Sequence, residues 1–207
     1  MIAIIDYDAG NLKSVEKALQ YIGEEALITR DHREIRNADH VVLPGVGAFS
    51  VAMEQLQKFE LDKVIEETVA RQVPFLGICL GLQLLFESSE ESSGVEGLGL
   101  LKGNVLRIPK AEDLKIPHIG WNSLELKNNG RLFAGLEQEE PYVYFVHSYY
   151  LRAAKEQIVT ARAEYGVKID ASVECGNLFA CQFHPEKSGR TGLRILQNFA
   201  AVTGGSR

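Results

Sequence analysis

Long apolar runs and paired metal-ligand motifs are both missing from this chain of 207 residues. No apolar run approaches the roughly 18 residues that a membrane-spanning helix needs. The apolar stretch at residues 2–6 is too short for a secretory signal and has no basic residues before it. The 3 cysteines form no Cys-x-x-Cys pair and the 5 histidines form no His-x-x-x-His pair. We therefore predict a cytoplasmic protein that needs no metal and no other cofactor.

An excess of basic residues is missing as well. Lys and Arg number 22 and Asp and Glu number 28, which gives a net charge of −6. Surfaces that bind nucleic acid are basic, so we expect no nucleic-acid partner, and the short apolar runs predict no membrane partner. The length suits one sizeable domain, and we predict a single domain over residues 1–207.

Strand and helix patterns alternate in the first half of the chain. Apolar runs at 2–6, 40–43 and 75–78 predict buried strands, and residues at helical spacing follow each run. Asn11 is predicted to cap the first helix and Gly23 to end it. Strands joined by helices in this way predict a parallel sheet that helices cover on both faces.

Short strands and a closing helix at 190–201 are predicted for the second half. The strands are predicted at 103–108, 123–126, 142–146, 158–163, 170–175 and 178–183. Gly176 and Asn177 separate the last two strands and are typical of a two-residue hairpin turn. We therefore predict an α/β fold with three layers, whose open mixed sheet is mostly parallel and has an antiparallel portion late in the chain. Sites in such sheets lie at the carboxyl ends of the strands.

Cys79 lies between a predicted strand and a predicted helix, in the Gly-Ile-Cys-Leu-Gly segment at 77–81. This is the pattern of a nucleophile elbow, in which flanking glycines permit a sharp, strained turn. The helix N-terminus favours the thiolate, and the N–H of Leu80 is predicted to face a developing oxyanion. An inert buried cysteine is the alternative. Cys175 and Cys181 lack such flanks, and we predict both as core residues.

His184 and Glu186 belong to a His-Pro-Glu segment at the end of a predicted strand. Two residues apart in an extended chain, their side chains project to the same side. One imidazole nitrogen then faces the thiol while the carboxylate holds the other. We predict His184 as general base for Cys79 and Glu186 as the group that orients it. His147 is the best rival base, since it ends another predicted strand.

A glycine-containing loop, Pro-Gly-Val-Gly-Ala-Phe at 44–49, follows the strand predicted at 40–43. Two glycines around Val46 permit a peptide flip that other neighbours would resist. We predict Val46 and Gly47 as oxyanion-hole residues beside Leu80. A plain turn between a strand and a helix would explain the same residues.

The motifs Pro-Gly-x-Gly, Gly-Ile-Cys-Leu-Gly-x-Gln and His-Pro-Glu, in this order, resemble those of class I glutamine amidotransferases over nearly the whole chain. The resemblance implies that glutamine is the substrate and that a γ-glutamyl thioester forms on Cys79. It also implies that Gln83, His147, Ser148 and Tyr149 bind the amino-acid head of the substrate.

Within that class, the segments 6–12, 118–122 and 144–150 resemble the glutaminase subunits of imidazole glycerol phosphate synthases, which serve histidine biosynthesis. This resemblance implies a heterodimer with a cyclase subunit, which receives ammonia through a channel and makes imidazole glycerol phosphate and AICAR. It places six residues toward that subunit: Asn11, Trp121, Asn122, Tyr142, Tyr144 and Lys187. Since aromatic residues are enriched in interfaces, Tyr149 and Tyr150 are further candidates for the docking face. Packing in the core or at its rim is the alternative for each aromatic residue.

Three alternatives stay open at this point. The chain could serve another amidotransferase, such as those of pyridoxal phosphate, anthranilate or carbamoyl phosphate synthesis. It could be a cysteine hydrolase of γ-glutamyl peptides that works alone, or a catalytically inactive interaction module. The motifs from residue 44 to 186 leave no room for a synthetase domain, so we expect another chain to use the ammonia.

Overall fold

An eight-stranded sheet forms the centre of the computed structural model, which describes residues 1–111, 114–136 and 140–204. In spatial order its strands are β2 (Ala26–Thr29), β1 (Ile2–Ile5), β3 (His40–Gly45), β4 (Phe75–Cys79), β13 (Leu178–Cys181), β12 (Lys168–Cys175), β11 (Val159–Glu164) and β8 (Glu125–Leu126). The pairings among the first five strands are parallel, and the remaining three are antiparallel. The predicted mixed sheet with a late antiparallel portion is confirmed.

Helices cover both faces of this sheet. They are α1 (Leu12–Tyr21), α2 (His32–Asn37), α3 (Phe49–Lys58), α4 (Leu61–Ala70), α5 (Leu80–Leu84) and α6 (Gly189–Ala200). Alternate residues of β1 enter two separate cores, because successive strand side chains point to opposite faces. Ile2 and Ile4 pack with α1 and α6, whereas Ala3 and Ile5 pack with α2, α3 and α4. Each fully buried large apolar side chain contributes about 1.5–3 kcal/mol to this packing.

Two smaller sheets extend the fold. One contains β10 (Tyr149–Ala153), β6 (Gly103–Arg107) and β5 (Ser88–Ser89), and the other pairs β7 (His118–Ser123) with β9 (Tyr142–His147). We call the second the β7–β9 ribbon. His184 N donates to Tyr144 O at 2.9 Å, and Tyr144 N donates to Ser188 Oγ at 2.9 Å. The ribbon is therefore joined to the segment that follows β13.

Several predicted boundaries differ from the structure. The predicted strand at 123–126 is divided, since its first residue ends β7 and only its last two form β8. The elements β2, α2 and β10 were not predicted, because they are short and offer little periodicity. None of the helices in the described ranges is long and apolar enough to cross a membrane.

Two residue predictions were wrong in detail. Asn11 precedes α1 as predicted, but its Oδ1 accepts a hydrogen bond from Ser14 Oγ at 2.8 Å rather than from a backbone N–H. Cys175 is exposed, because it ends β12 at the hairpin turn of Gly176 and Asn177, whereas Cys181 is buried as predicted.

Candidate active site

Cys79 joins β4 to α5 through a backbone conformation that is rare outside glycine, with φ 56° and ψ −108°. Such a conformation costs about 1–3 kcal/mol. A Cβ added at Gly81 would lie 1.9 Å from Leu43 O, and one added at Gly77 would lie 2.8 Å from Gly81 O. The elbow is this tight only because glycines flank the cysteine. Helix α5 begins directly after the cysteine, at Leu80, and ends at Leu84.

The sulfur of Cys79 has two polar neighbours. Its Sγ donates to Val146 O at 3.9 Å, and Gln182 Nε2 donates to Sγ at 3.7 Å. Cys181 is fully enclosed, and its Sγ donates to Phe183 O at 3.5 Å. Burial raises the pKa of the Cys181 thiol, and the nearby charges of Glu186 and Cys79 raise it further. Cys79 is therefore the cysteine that is placed for chemistry, since Cys181 is held as a thiol.

His184 and Glu186 form a buried pair, with 2.8 Å between Nδ1 and Oε1. The predicted reason for this pairing was wrong. Residues Pro185–Lys187 form a 3-10 turn rather than extended chain, and this turn brings the two side chains face to face.

The second nitrogen of His184, Nε2, is buried and has no hydrogen-bond partner among the described residues. Burial lowers the pKa of His184, but its proximity to the Cys79 sulfur and its hydrogen bond to Glu186 outweigh burial and raise that pKa to about 9. The imidazole therefore lies within electrostatic reach of the sulfur and is protonated at neutral pH.

A cavity of about 290 Å³ opens beside Cys79. The residues predicted for the oxyanion hole and the substrate line it: Val46, Gly47, Leu80, Gln83, His147, Ser148 and Tyr149. A larger cavity of about 690 Å³ lies at the start of β3, where His40 and Val202 line it, but none of the candidate catalytic residues does. The smaller cavity is therefore the candidate substrate site.

Sequence reasoning did not find Glu91, which also lines the smaller cavity. Its Oε2 accepts a hydrogen bond from Phe49 N at 2.8 Å, at the start of α3. In the sequence Glu91 belongs to a run of Ser and Glu that is typical of an exposed loop, so no signal marked it. A carboxylate in this wall suits a substrate that carries an ammonium group. Within the described residues, no group of three His, Cys, Asp or Glu side chains could hold a metal ion.

The loop after β3 approaches the elbow closely. Gly45 pairs with Cys79 in the parallel register, and a Cβ at Gly45 would lie 2.6 Å from the Tyr7 hydroxyl oxygen. That hydroxyl donates to Pro44 O at 2.9 Å, and burial followed by the charge of Cys79 raises the pKa of Tyr7, so the donor keeps its proton. Gly47 has φ 103°, which L side chains rarely adopt. The loop is thus held by a hydrogen bond at Pro44, whereas Gly47 can adopt backbone conformations that other residues rarely adopt.

His147, the rival base, is engaged at both ring nitrogens. A carbonyl oxygen can only accept, so His147 Nδ1 donates to Tyr149 O at 2.9 Å. His147 Nε2 must then accept from His118 Nδ1 at 3.0 Å, and His118 Nε2 faces Asn122 Nδ2 at 3.4 Å. Burial lowers the pKa of His147 to about 3 and that of His118 to about 4. Both rings are therefore neutral and fixed, which leaves His184 as the candidate base.

Residues 3–202 match the family described as glutamine amidotransferase class-I. The chain belongs to this family. A protein of Caldanaerobacter subterraneus subsp. tengcongensis is 52% identical over 202 residues, which are 98% of each chain. One of Listeria monocytogenes serotype 4a is 48% identical over 98% of this chain and 96% of the relative. One of Moorella thermoacetica is 52% identical over 97% and 94%. All three are named imidazole glycerol phosphate synthase subunit HisH.

Solved structures share the fold of this amidotransferase. A crystal structure of a glutamine amidotransferase superposes with a TM-score of 0.76 at 20% identity, over 98% of this chain and 100% of that one. The structure of PurLQS from Thermotoga maritima gives a TM-score of 0.73 at 22% identity, over 96% of both chains. The predicted fold class and family are confirmed.

The residues predicted at the partner face of this amidotransferase differ in exposure. Trp121 is 57% exposed and Tyr142 49%, and the rings of Trp121 and Tyr144 lie 6.1 Å apart. Lys187 is exposed, whereas Asn11 is half-buried.

Two further candidates for the partner interface, Asn122 and Tyr150, are less accessible to a partner. The amide of Asn122 is occupied, since its Nδ2 donates to Glu164 O at 2.9 Å and its Oδ1 accepts from Ser123 N at 2.9 Å. Tyr150 is buried, because β10 turns its side chain into the core, so for this residue the alternative of core packing holds. Ile119, which was not predicted, is 59% exposed on the β7–β9 ribbon.

Proposed function

We propose that this chain is the glutaminase subunit of an imidazole glycerol phosphate synthase, which hydrolyses glutamine to glutamate and ammonia for a cyclase subunit. One observation carries the proposal: a strained cysteine at an elbow, the buried His184–Glu186 pair and a cavity of about 290 Å³ converge at Cys79. The names of the relatives support the choice of this synthase among the amidotransferases.

In the first step, the Cys79 thiolate attacks the side-chain amide carbon of glutamine. The S–C bond forms as the π electrons of the C=O bond move onto oxygen. When the C=O bond re-forms, the C–N bond breaks, and His184, protonated at neutral pH, gives its proton to the departing ammonia. The backbone N–H of Leu80 and the Val46–Gly47 peptide hold the oxyanion. The product of this step is a γ-glutamyl thioester on Cys79.

In the second step, neutral His184 takes a proton from water, which attacks the thioester carbon. The S–C bond breaks, glutamate leaves, and the sulfur returns as thiolate. Glu186 keeps the imidazole oriented throughout, because it holds Nδ1. Glu91 binds the α-ammonium group of the substrate, and Gln83, Ser148 and Tyr149 complete the site for its amino-acid head.

The cyclase subunit docks on the face that carries the β7–β9 ribbon. Exposed aromatic side chains are enriched in protein interfaces, and Trp121 and Tyr142 are exposed there beside Lys187. Ammonia then passes directly to the partner, since ammonium in bulk water is a poor nucleophile. The free thiols of Cys79, Cys175 and Cys181 agree with a reducing cytoplasm.

Glutaminase activity is expected to depend on the partner. The Val46–Gly47 peptide lies in a loop that is free to flip at Gly47, so a docked cyclase with its nucleotide ligand sets the oxyanion donor. We expect a low rate for the chain alone and a rate about 5–150-fold higher with cyclase and ligand. Glutamate release, measured alone, with cyclase, and with cyclase plus ligand, tests this. Three equal rates contradict gating, and no release under any condition contradicts the proposed function.

Glu186→Gln is expected to be less harmful than His184→Ala. Losses of roughly 10⁴-fold and 10⁶-fold in kcat are expected, as for the orienting acid and the base of other triads. Since the Glu186 charge raises the pKa of His184, the variant should lower that pKa from about 9. The raised pKa stabilises the fold below pH 6.5, and this stabilisation is lost as the pH rises through 9. Imidazole NMR measures the pKa of His184, and unfolding across pH measures the stabilisation. Equal and total losses of kcat in Glu186→Gln and His184→Ala would show that Glu186 does more than orient the imidazole.

A further inference from the structure

Gln182 is a buried amide at the end of an apolar strand. It follows β13, it is 0% exposed, and its neighbours Cys181 and Phe183 are also 0% exposed. Buried polar groups are nearly always hydrogen-bonded, because an unpaired amide costs about 1–3 kcal/mol. Its backbone N–H donates to Ala171 O at 2.9 Å, and its side-chain amide contacts Gln83 and Cys79.

The register of the sheet brings this side chain to the nucleophile. Ile78 of β4 pairs with Cys181 of β13 in the parallel ladder. Cys79 and Gln182 are the next residues along each strand, so their side chains leave the sheet on the same side. Gln182 Nε2 then lies 3.7 Å from Cys79 Sγ.

The direction of the amide is fixed by a chain of contacts that begins at a carbonyl. Tyr149 O can only accept, so the Gln83 atom 3.1 Å from it is the donor Nε2. That same Nε2 lies 3.1 Å from Gln182, so it donates to the Gln182 Oε1. Gln182 must therefore turn its N–H group, not its oxygen, toward the sulfur.

The sulfur needs this donor most when it is ionised. As a thiol, Cys79 donates to Val146 O at 3.9 Å. As a thiolate it loses that bond and faces a carbonyl oxygen, which is also negative. A hydrogen bond to a charged group is stronger than one to a neutral group, so the Gln182 N–H stabilises the thiolate more than the thiol.

We propose that Gln182 is a catalytic residue whose side-chain amide donates to the Cys79 sulfur and stabilises the thiolate, both before attack and when it leaves the thioester. Gln83 acts on it as a positioning residue by holding Oε1. The catalytic meaning of this contact rests on the proposed glutaminase activity, but the contact itself is testable without glutamine.

Alkylation of Cys79 by iodoacetamide across pH tests the proposal. The full chain carries Cys175→Ala to remove the exposed thiol, and mass spectrometry follows the peptide that contains Cys79. Gln182→Leu removes the donor, so the midpoint of the pH–rate profile should move up by about one pH unit. That shift is equivalent to a tenfold lower ratio of thiolate to thiol at fixed pH. Gln182→Glu keeps an acceptor for Gln83 but turns an oxygen to the sulfur, and it should move the midpoint further.

Ser172→Ala is the matched control. It deletes a buried hydroxyl that donates to Ala180 O at 3.0 Å on the neighbouring strand, without contact to the sulfur, so its profile should be unchanged. Profiles of both Gln182 variants that superpose on the parent profile would overturn the proposal. Should Gln182→Leu fail to fold, Gln182→Glu alone decides in the same way. A parent chain that alkylates normally but hydrolyses no glutamine with cyclase and ligand would overturn the proposed function instead.

Discussion

Replacing Cys79 with alanine is expected to abolish glutamine hydrolysis while the complex still uses supplied ammonia. Loss of a covalent nucleophile lowers kcat by roughly 10⁶-fold in comparable triads, because no other group forms the acyl intermediate. In the proposed function, ammonia is used by the cyclase together with that subunit's own substrate, so added ammonia replaces only the glutaminase step. Glutamate release and cyclised product are each measured with glutamine or with an ammonium salt. Together they separate the glutaminase step from the ammonia-dependent step.

Cys175→Ala is the matched control for this experiment. Cys175 is an exposed cysteine at the hairpin end of β12, so its loss should leave both activities unchanged. Glutamine-dependent rates of the Cys79 variant that equal those of the parent would reject the thioester mechanism. Loss of the ammonia-dependent rate as well would mean that the substitution disturbs the complex rather than the chemistry.

Gly81→Ala is expected to destabilise the fold by about 3 kcal/mol, which lowers Tm by roughly 6–12 °C for a chain of this size. The added Cβ would lie 1.9 Å from Leu43 O, a backbone atom of β3 that cannot move without disturbing the central sheet. Relief of the clash would shift the elbow, so glutamine hydrolysis should fall as well. Thermal unfolding and glutamate release in the presence of cyclase measure the two effects.

Gly204→Ala is the comparison for that change. A Cβ there would meet Pro74 Cδ at 3.5 Å, an ordinary contact, so Tm should move little. Equal Tm values for Gly81→Ala and the parent would show that the elbow has more room than its geometry indicates.

The elbow was predictable because its chemistry is local. A cysteine between two glycines, after an apolar run and before a helical one, predicts a tight turn, and the contact of Gly77 with Gly81 O spans only four residues. The layered sheet was predictable for a similar reason, since buried parallel strands are continuous apolar runs. The roles of Cys79, His184 and Glu186 stay predictions, but the structure brings these three residues together.

The parts that the sequence did not reveal depend on distant contacts. Glu91 reaches the cavity because its loop packs on the start of α3, and the local sequence gives no sign of that packing. Gln182 was included in a predicted strand, but its partner lies 103 positions away. His184 and Glu186 pair through a 3-10 turn that the proline initiates, whereas spacing alone suggested extended chain.

The ladder between β4 and β13 has a consequence for sequence drift. The pairs from Phe75↔Leu178 to Ile78↔Cys181 are set by main-chain bonds, which do not depend on side-chain identity. Interior residues of both strands can thus be exchanged over evolutionary time without altering the spacing of thiol and imidazole. A register shift of one residue would move the imidazole about 3.3 Å along the strand. Selection should therefore act far more strongly against insertions between Leu178 and His184 than against substitutions there.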